Sequence, residues 1–294
     1  MSPARSSTFQ SRVPPHETIL DFGKSSYDPR PRPSIAFVKK LSTPTRIPER
    51  PLFLPMEWEE PWAVPGYRRN LPHWRLEGAT YFVTFRLADS IPESVARHWH
   101  DERVAWLQQH GIEAILAGSD MERLHEAVVT VRLEHRAAFQ REQQRQFLIE
   151  LDKCHGSCVL DTAHTHVAEA LLHFHGARVW TGDFVVMPNH VHVLVQPFPG
   201  IPLEEWLYSV KRYSATQILD DPRLTARASL RKDHLWQTES FDRVVRDAAE
   251  LTRTRHYIAR NPARLRPGTY ALRQMDWLNE FAPPPDDATP HDQT

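Results

Sequence analysis

The sequence predicts an α+β fold, a ferredoxin-like or RRM-like antiparallel sheet with helices packed on it. Three observations carry that expectation. Segments rich in β-branched and aromatic residues alternate with helical stretches in the order strand, helices, strand, strand, helix, strand, helix. Only the corner Met187-Pro188-Asn189 separates the second strand from the third, so the two run back to back. A chain of 294 residues with 40% apolar content also has enough material for a real core. In a ferredoxin-like order the strand beginning His190-Val191-His192 lies in the middle of the sheet.

Residues 1–70 are dense in proline, serine and arginine and lack periodicity, as in Pro29-Arg30-Pro31-Arg32-Pro33. Such a stretch favours extended conformers and is expected to be a largely disordered extension. Leu52-Phe53-Leu54, Trp58, Trp62 and Tyr67 are candidates to anchor its later part. The folded domain is expected over 71–268. Its first strand is Ala79 to Leu87, and a helix opens at Pro92-Glu93 and reaches His110. A charged, glutamine-rich helical region from about Met121 to Asp152 reads as solvated surface and is assigned no chemistry. A further helix, His164 to His175, carries Val167, Ala170, Leu171 and Phe174 as its apolar stripe, and its histidines read as surface residues. The strands Arg178 to Val186 and His190 to Gln196 follow, then an amphipathic helix from Leu203 to Leu219 and a short strand at Phe241 to Val245. Asp247 is the expected N-cap of the last helix, with Glu250 in the capping-box position. Asn261-Pro262 is expected to end that helix, because the residue before proline is disfavoured in the α region. A C-terminal extension and polar tail occupy 269–294.

The formal net charge is -1, with arginines gathered in the C-terminal third. No run approaches the roughly 18 apolar residues of a membrane span, and the N-terminus has no apolar signal core. A cytoplasmic protein without membrane association is expected. Cys154 and Cys158 are the only cysteines, and reduced thiols explain them better than a zinc site.

The chemistry concentrates on His190 and His192. Successive strand residues point to opposite faces, so both imidazoles project from one face and Val191 from the other. Two imidazoles on a rigid strand are half a metal site. Tyr257 and Asn261, four apart on the last helix, share a helical face and could supply the rest. Two ring nitrogens and an amide oxygen with open positions suit Mg²⁺ or Mn²⁺, although Zn²⁺ also takes such donors. A divalent ion there would act as a Lewis acid on a phosphoryl oxygen. Tyr257, with an ordinary pKa of about 10, needs that help to attack phosphorus. The resulting phosphotyrosine ester would conserve the bond energy for rejoining.

Met187-Pro188-Asn189-His190-Val191-His192 resembles the HUH motif (His, hydrophobic, His) of single-tyrosine transposases of the IS200-like superfamily. The neighbouring stretches resemble one branch, the REP-associated tyrosine transposases. They are Trp74-Arg75-Leu76 with 78–86, Leu235-Trp236-Gln237, Phe241-Asp242-Arg243 with Arg246-Asp247, and Tyr257-Ile258-Ala259-Arg260-Asn261-Pro262. The resemblance spans about residues 71–266. It implies Tyr257 as the catalytic nucleophile and His190, His192 and Asn261 as ligands of Mg²⁺ or Mn²⁺. It implies metal-dependent cleavage and rejoining of single-stranded DNA at hairpin-forming repeats through a 5′-phosphotyrosine intermediate. It further implies a bacterial, nucleoid-associated protein acting as monomer or homodimer, with an enlarged helical insertion after the first strand. The chain departs from the branch at Glu239-Ser240, where a second aromatic is common, and at Arg264-Leu265-Arg266-Pro267, where a small-glycine ending is common.

For DNA contacts, Lys211, Arg212, Arg243, Arg246, Arg253, Arg255 and Arg260 could line a basic face, with Trp236 stacking on an unpaired base. Tyr213, following Lys211-Arg212, is a rival nucleophile. Two other readings compete: a domesticated DNA-binding protein of repeat hairpins without strand transfer, and a phosphodiesterase that uses water.

Overall fold

The structure, a computed structural model, describes residues 41–51, 53, 67–68, 72–73, 76–112, 128–225 and 235–283. The expectations for 1–40, for Leu52, Leu54, Trp58, Trp62 and Trp74-Arg75, for the first turns of the 121–152 region and for 284–294 lie outside the described residues.

Five strands form one antiparallel sheet: β1 (Tyr81–Arg86), β2 (Val179–Val186), β3 (His190–Pro197), β4 (Phe241–Val244) and β5 (Ala271–Arg273). Their spatial order is β4-β1-β3-β2-β5. The first four follow the 4-1-3-2 order of a ferredoxin-like sheet, β5 adds an edge, and β3 is central. The long helices among the described residues are α1 (Glu93–Gln109), α2 (Leu133–Leu151), α3 (Leu160–Leu172), α4 (Leu203–Asp220) and α5 (Ala248–Arg260), with one further helical turn at Pro222–Thr225. A separate two-residue hairpin pairs Tyr67–Arg68 with Pro72–His73.

The period-two alternation of each strand sorts its side chains onto two covered faces. On one face Tyr81, Val83, Phe85, Val191, Val193 and Val195 pack against Val167 and Leu171 of α3 and Trp206 and Val210 of α4. On the other, Phe82, Val185 and Leu194 meet Leu251 and Ile258 of α5 and Leu278 beyond β5. Both faces are therefore dry, which is why β1 and β3 are buried along their whole length. The α1–α2 pair has small clusters of its own, including Trp106 stacked on Phe139 at 4.6 Å and Trp99 near Phe147 at 6.1 Å.

Two local details differ from expectation. Helix α3 starts four residues before His164, because Leu160 N–H donates to Pro188 O at 3.1 Å and the Leu160 side chain fills the core. It stops at Leu172 instead of His175, where the chain turns through Gly176 (φ 75°) toward β2. The last helix ends at Arg260, as Asn261-Pro262 implied, although Asn261 itself keeps α conformation (φ −55°, ψ −44°) and the chain passes into a 3₁₀ turn, Asn261–Arg264. Pro262 sits early in that turn, where the missing N–H is least costly.

The segment before the domain is pinned across it. Ser42 donates from N and Oγ to Glu205, and Thr45 N–H donates to Pro199 O. Phe53 is buried among the residues under α5, 6.2 Å from Phe281. Among the described residues no helix is long and apolar enough to cross a membrane.

Candidate active site

The site lies where α5 crosses the middle of the sheet. Strand β3 carries His190 and His192 on the α5 face, fully buried, with ring centroids 4.6 Å apart. The pairing partner β1 supplies the support from the same face, because register places Thr84 opposite His192 and Arg86 opposite His190. Thr84 Oγ1 lies 2.7 Å from His192 Nδ1, and Phe82 stacks on the His192 ring at 5.4 Å.

The tight turn before β3 orients the first imidazole. Met187 N–H donates to His190 O, which folds Asn189 inward until it is fully buried. Asn189 Nδ2 donates to His155 O at 3.1 Å, so its Oδ1 is the atom 2.7 Å from His190 Nδ1. An amide oxygen only accepts, so His190 Nδ1 carries the proton and Nε2 keeps its lone pair. At His192 both neighbours are hydroxyls, each able to donate or accept: Thr84 Oγ1 beside Nδ1 and Tyr257 Oη 3.1 Å from Nε2. The tautomer with Nδ1–H toward Thr84 lets Nε2 accept from Tyr257. Both rings thus present Nε2 to one space, with the other nitrogen tied as in outer-shell support of metal-bound histidines. Burial holds both rings neutral, His190 down to about 3 and His192 well below the usual imidazole range, with His190 contributing to the latter.

Tyr257 arrives from α5, edge-on to Phe82 at 6.1 Å and to His192 at 5.0 Å. Burial raises its phenol well above the ordinary value; negative Asp152 adds to this, and the Asn261 side chain opposes it. The α5 N-terminus is fixed as the capping box implies, with Glu250 N–H donating to Asp247 Oδ1 at 2.6 Å. The reciprocal bond is shifted by one residue, Arg246 N–H donating to Glu250 Oε2. The middle of α5 is fixed by Arg255, whose Nε donates to Asp183 Oδ2 at 2.8 Å in full burial and whose remaining nitrogens reach Asn279 and Ala282.

One residue joins that sequence reasoning assigned no role. Asp152, just past α2, brings Oδ1 to 3.8 Å from His190 Nε2, and Asn261 Nδ2 donates to it at 3.2 Å. Potential ligand atoms of Asp152, His190 and His192 all lie within 4.8 Å of one another. His190 Nε2 and Asn261 Oδ1 are buried without a hydrogen-bond partner. Idle buried acceptors are costly, and a cation between them is the natural partner. The donor set therefore fits a divalent ion taking nitrogen and oxygen ligands. No spacing in the sequence pointed to Asp152, because it comes from the far side of the insertion.

The proposed DNA-contacting residues separate by face. Arg243 stands on the site face, its guanidinium 5.2 Å over Phe82, but is paired with Glu250 and near Thr254; burial lowers it to about 10, with Arg246 and Arg253 adding to the shift. Arg246, Arg253 and Arg260 are exposed around α5. Arg255 is no surface charge but a buried ion-pair partner, as above. Lys211, Arg212 and Trp236 belong to the opposite side of the sheet and cannot sit beside the histidines. Lys211 Nζ donates to Gln237 O and Thr238 O, and Arg212 is exposed on the outer side of α4. Trp236 is a core residue, edge-on to Phe85 at 4.9 Å with Nε1–H donating to Ser214 Oγ, so its ring is not free to stack on a base. Tyr213 is exposed on α4, on that same remote side.

Residues 161–261 match the family described as Transposase IS200 like. Among solved structures, a REP-associated tyrosine transposase bound to a REP hairpin aligns at 12% identity and a TM-score of 0.34, covering 67% of this chain and 72% of that one. No curated protein matches.

Proposed function

We propose that this chain, whose residues 161–261 match the IS200-like transposase family, cleaves and rejoins single-stranded DNA through Tyr257. The observation that carries the reading is the convergence of Tyr257 Oη, 3.1 Å from His192 Nε2, with the second imidazole and, through Asp152, Asn261. In the reaction Tyr257 Oη bonds to phosphorus and the bond from phosphorus to the 3′-oxygen breaks. The products are a 5′-phosphotyrosine and a free 3′-hydroxyl, which takes up the proton the phenol gives away. Reversal by another 3′-hydroxyl rejoins the strand without ATP, because the ester retains the bond energy.

His190, His192 and Asn261 would hold Mg²⁺ or Mn²⁺, which supplies Lewis-acid polarisation of a phosphoryl oxygen. The remaining steps belong to the protein. Phe82, stacked on His192, helps keep the floor of the site dry, which strengthens electrostatic contacts within it. The aromatic contacts of Tyr257 with Phe82 and His192 hold the phenol in one orientation, which serves in-line attack. The exposed arginines around α5 would meet the phosphates of the flanking strand. The substrate proposed from the motif resemblance is a hairpin of the repetitive extragenic palindrome type.

The test is a denaturant-stable adduct with single-stranded hairpin DNA in the presence of Mn²⁺ or Mg²⁺. Tyr257→Phe is expected to abolish the adduct while hairpin binding stays measurable. Cleavage that survives Tyr257→Phe would mean attack by water. Binding without an adduct in the unaltered protein would favour a DNA-binding role alone.

A further inference from the structure

We infer that Asp152 is a carboxylate ligand of the site metal, which makes the helical insertion a working part of the site. This inference rests on the metal-site reading above. The two-histidine-and-amide logic of the motif stops at the sheet and α5, yet the structure places a fourth side chain there from a third element.

The placement is fixed by several contacts. The connection after α2 is sewn to the loops at the C-terminal end of β1 and the start of β3. Ser157 N–H donates to Asp89 Oδ2 at 2.7 Å, Asn189 Nδ2 donates to His155 O, and Leu160 N–H donates to Pro188 O. Gly156 lies so close to Asp89 that a Cβ would fall 2.5 Å from Asp89 O, and its φ of 89° suits glycine alone. Cys154 and Cys158 also take left-handed backbone, at φ 53° and 50°, in this short connection. The chain thus takes an unusual path that ends with Asp152 facing His190.

The chemistry fits. His190 Nε2 is fully buried, keeps its lone pair and has no hydrogen-bond partner, and it faces Asp152 Oδ1 at 3.8 Å. An ion held between those two atoms gains a hard, charged oxygen donor. Two neutral imidazoles and an amide leave a divalent ion its full charge, and a carboxylate halves it, favouring oxygen-seeking Mg²⁺ or Mn²⁺ over softer-ligand metals. Asn189 then has two tasks: it orients His190 through Nδ1 and holds the Asp152 segment through His155 O. Asp89 acts as a positioning residue for the same segment.

Mn²⁺ binding by the full chain, followed by calorimetry and by the electron paramagnetic resonance of free Mn²⁺, tests this without reference to DNA cleavage. His190→Ala is expected to lose the site. Asp152→Asn, which keeps shape and hydrogen bonding but not charge, is expected to weaken Mn²⁺ by about tenfold or more, since even outer partners of metal ligands are worth 10–100-fold. Asp89→Ala is expected to weaken it less. Circular dichroism of each variant separates lost binding from lost fold. If His190→Ala abolishes binding and Asp152→Asn binds like the unaltered protein, the Asp152 inference falls and the histidine site stands. If His190→Ala binds unchanged, the metal-site reading itself falls.

Discussion

At the scale of single residues, the site is governed by which atoms are left with lone pairs. Asn189 Oδ1 takes the Nδ1 proton of His190 and Thr84 Oγ1 ties Nδ1 of His192, so the Nε2 atoms of two rings kept neutral by burial face one space. That arrangement has a consequence for stability. In the unfolded chain an imidazole takes a proton near pH 6.5, whereas folded His190 resists protonation down to about 3. Between those values the unfolded state binds more protons, so stability rises with pH and is lost as the pH falls below 6.5. Thermal denaturation of the metal-free protein should show the melting temperature dropping from pH 7 to pH 5, and replacing His190 by Asn should flatten that slope. A flat profile in the unaltered protein would mean that the rings already carry protons when folded. The histidine pair and Tyr257 were legible from strand and helix periodicity. Thr84 was not legible as their partner, because its pairing depends on a strand register linking positions 108 residues apart.

At the scale of elements, α5 has to be held at one height along the sheet, since one turn of slip would carry Tyr257 about 5.4 Å from the histidines. The buried Arg255–Asp183 pair sets that height. Asp183 sits in β2 where the register with β3 shifts between Thr181 and Phe184, and Gly182 beside it leaves room for Leu194, whose Cβ would be 2.8 Å from an added Cβ. The irregularity turns a carboxylate inward to meet the helix. Removing one partner of such a pair leaves an uncompensated buried charge, so Asp183→Ala should destabilise the protein by about 3–5 kcal/mol in urea denaturation. Replacing both Asp183 and Arg255 by apolar residues of similar size should recover much of that loss. Equal stabilities for the single and double replacements would show that the pair is not what holds α5. The capped start of α5 was readable from Asp247 and Glu250, but its anchoring was not, because an arginine in a helix reads as surface until its partner is known.

At the scale of the whole molecule, a net charge of -1 gives no general attraction for DNA, so binding has to come from a local patch. Arg253 and Arg260 are seven residues apart on one face of α5 and both are exposed, with Arg264 exposed in the turn that follows. Hairpin affinity should therefore fall with salt, and replacing Arg253 and Arg260 by Gln should lower the slope of log affinity against log salt by about two, one for each lost phosphate contact. Lys211 and Arg212, on the far side of the sheet, should leave that slope unchanged when replaced. The reverse pattern would move the DNA to the α3–α4 side.

The sequence by itself determined the alternation of strands and helices, the shared face of His190 and His192, and the four-residue step from Tyr257 to Asn261. All are local periodicities, written in neighbouring residues. The tertiary structure alone decided which face of the sheet each element covers. It put Trp236 and Lys211 away from the site, turned Arg255 inward, and brought Asp152 to His190 from the end of an insertion. Those outcomes depend on strand order and on loop closures between distant segments, and contacts of that kind leave no spacing in the chain.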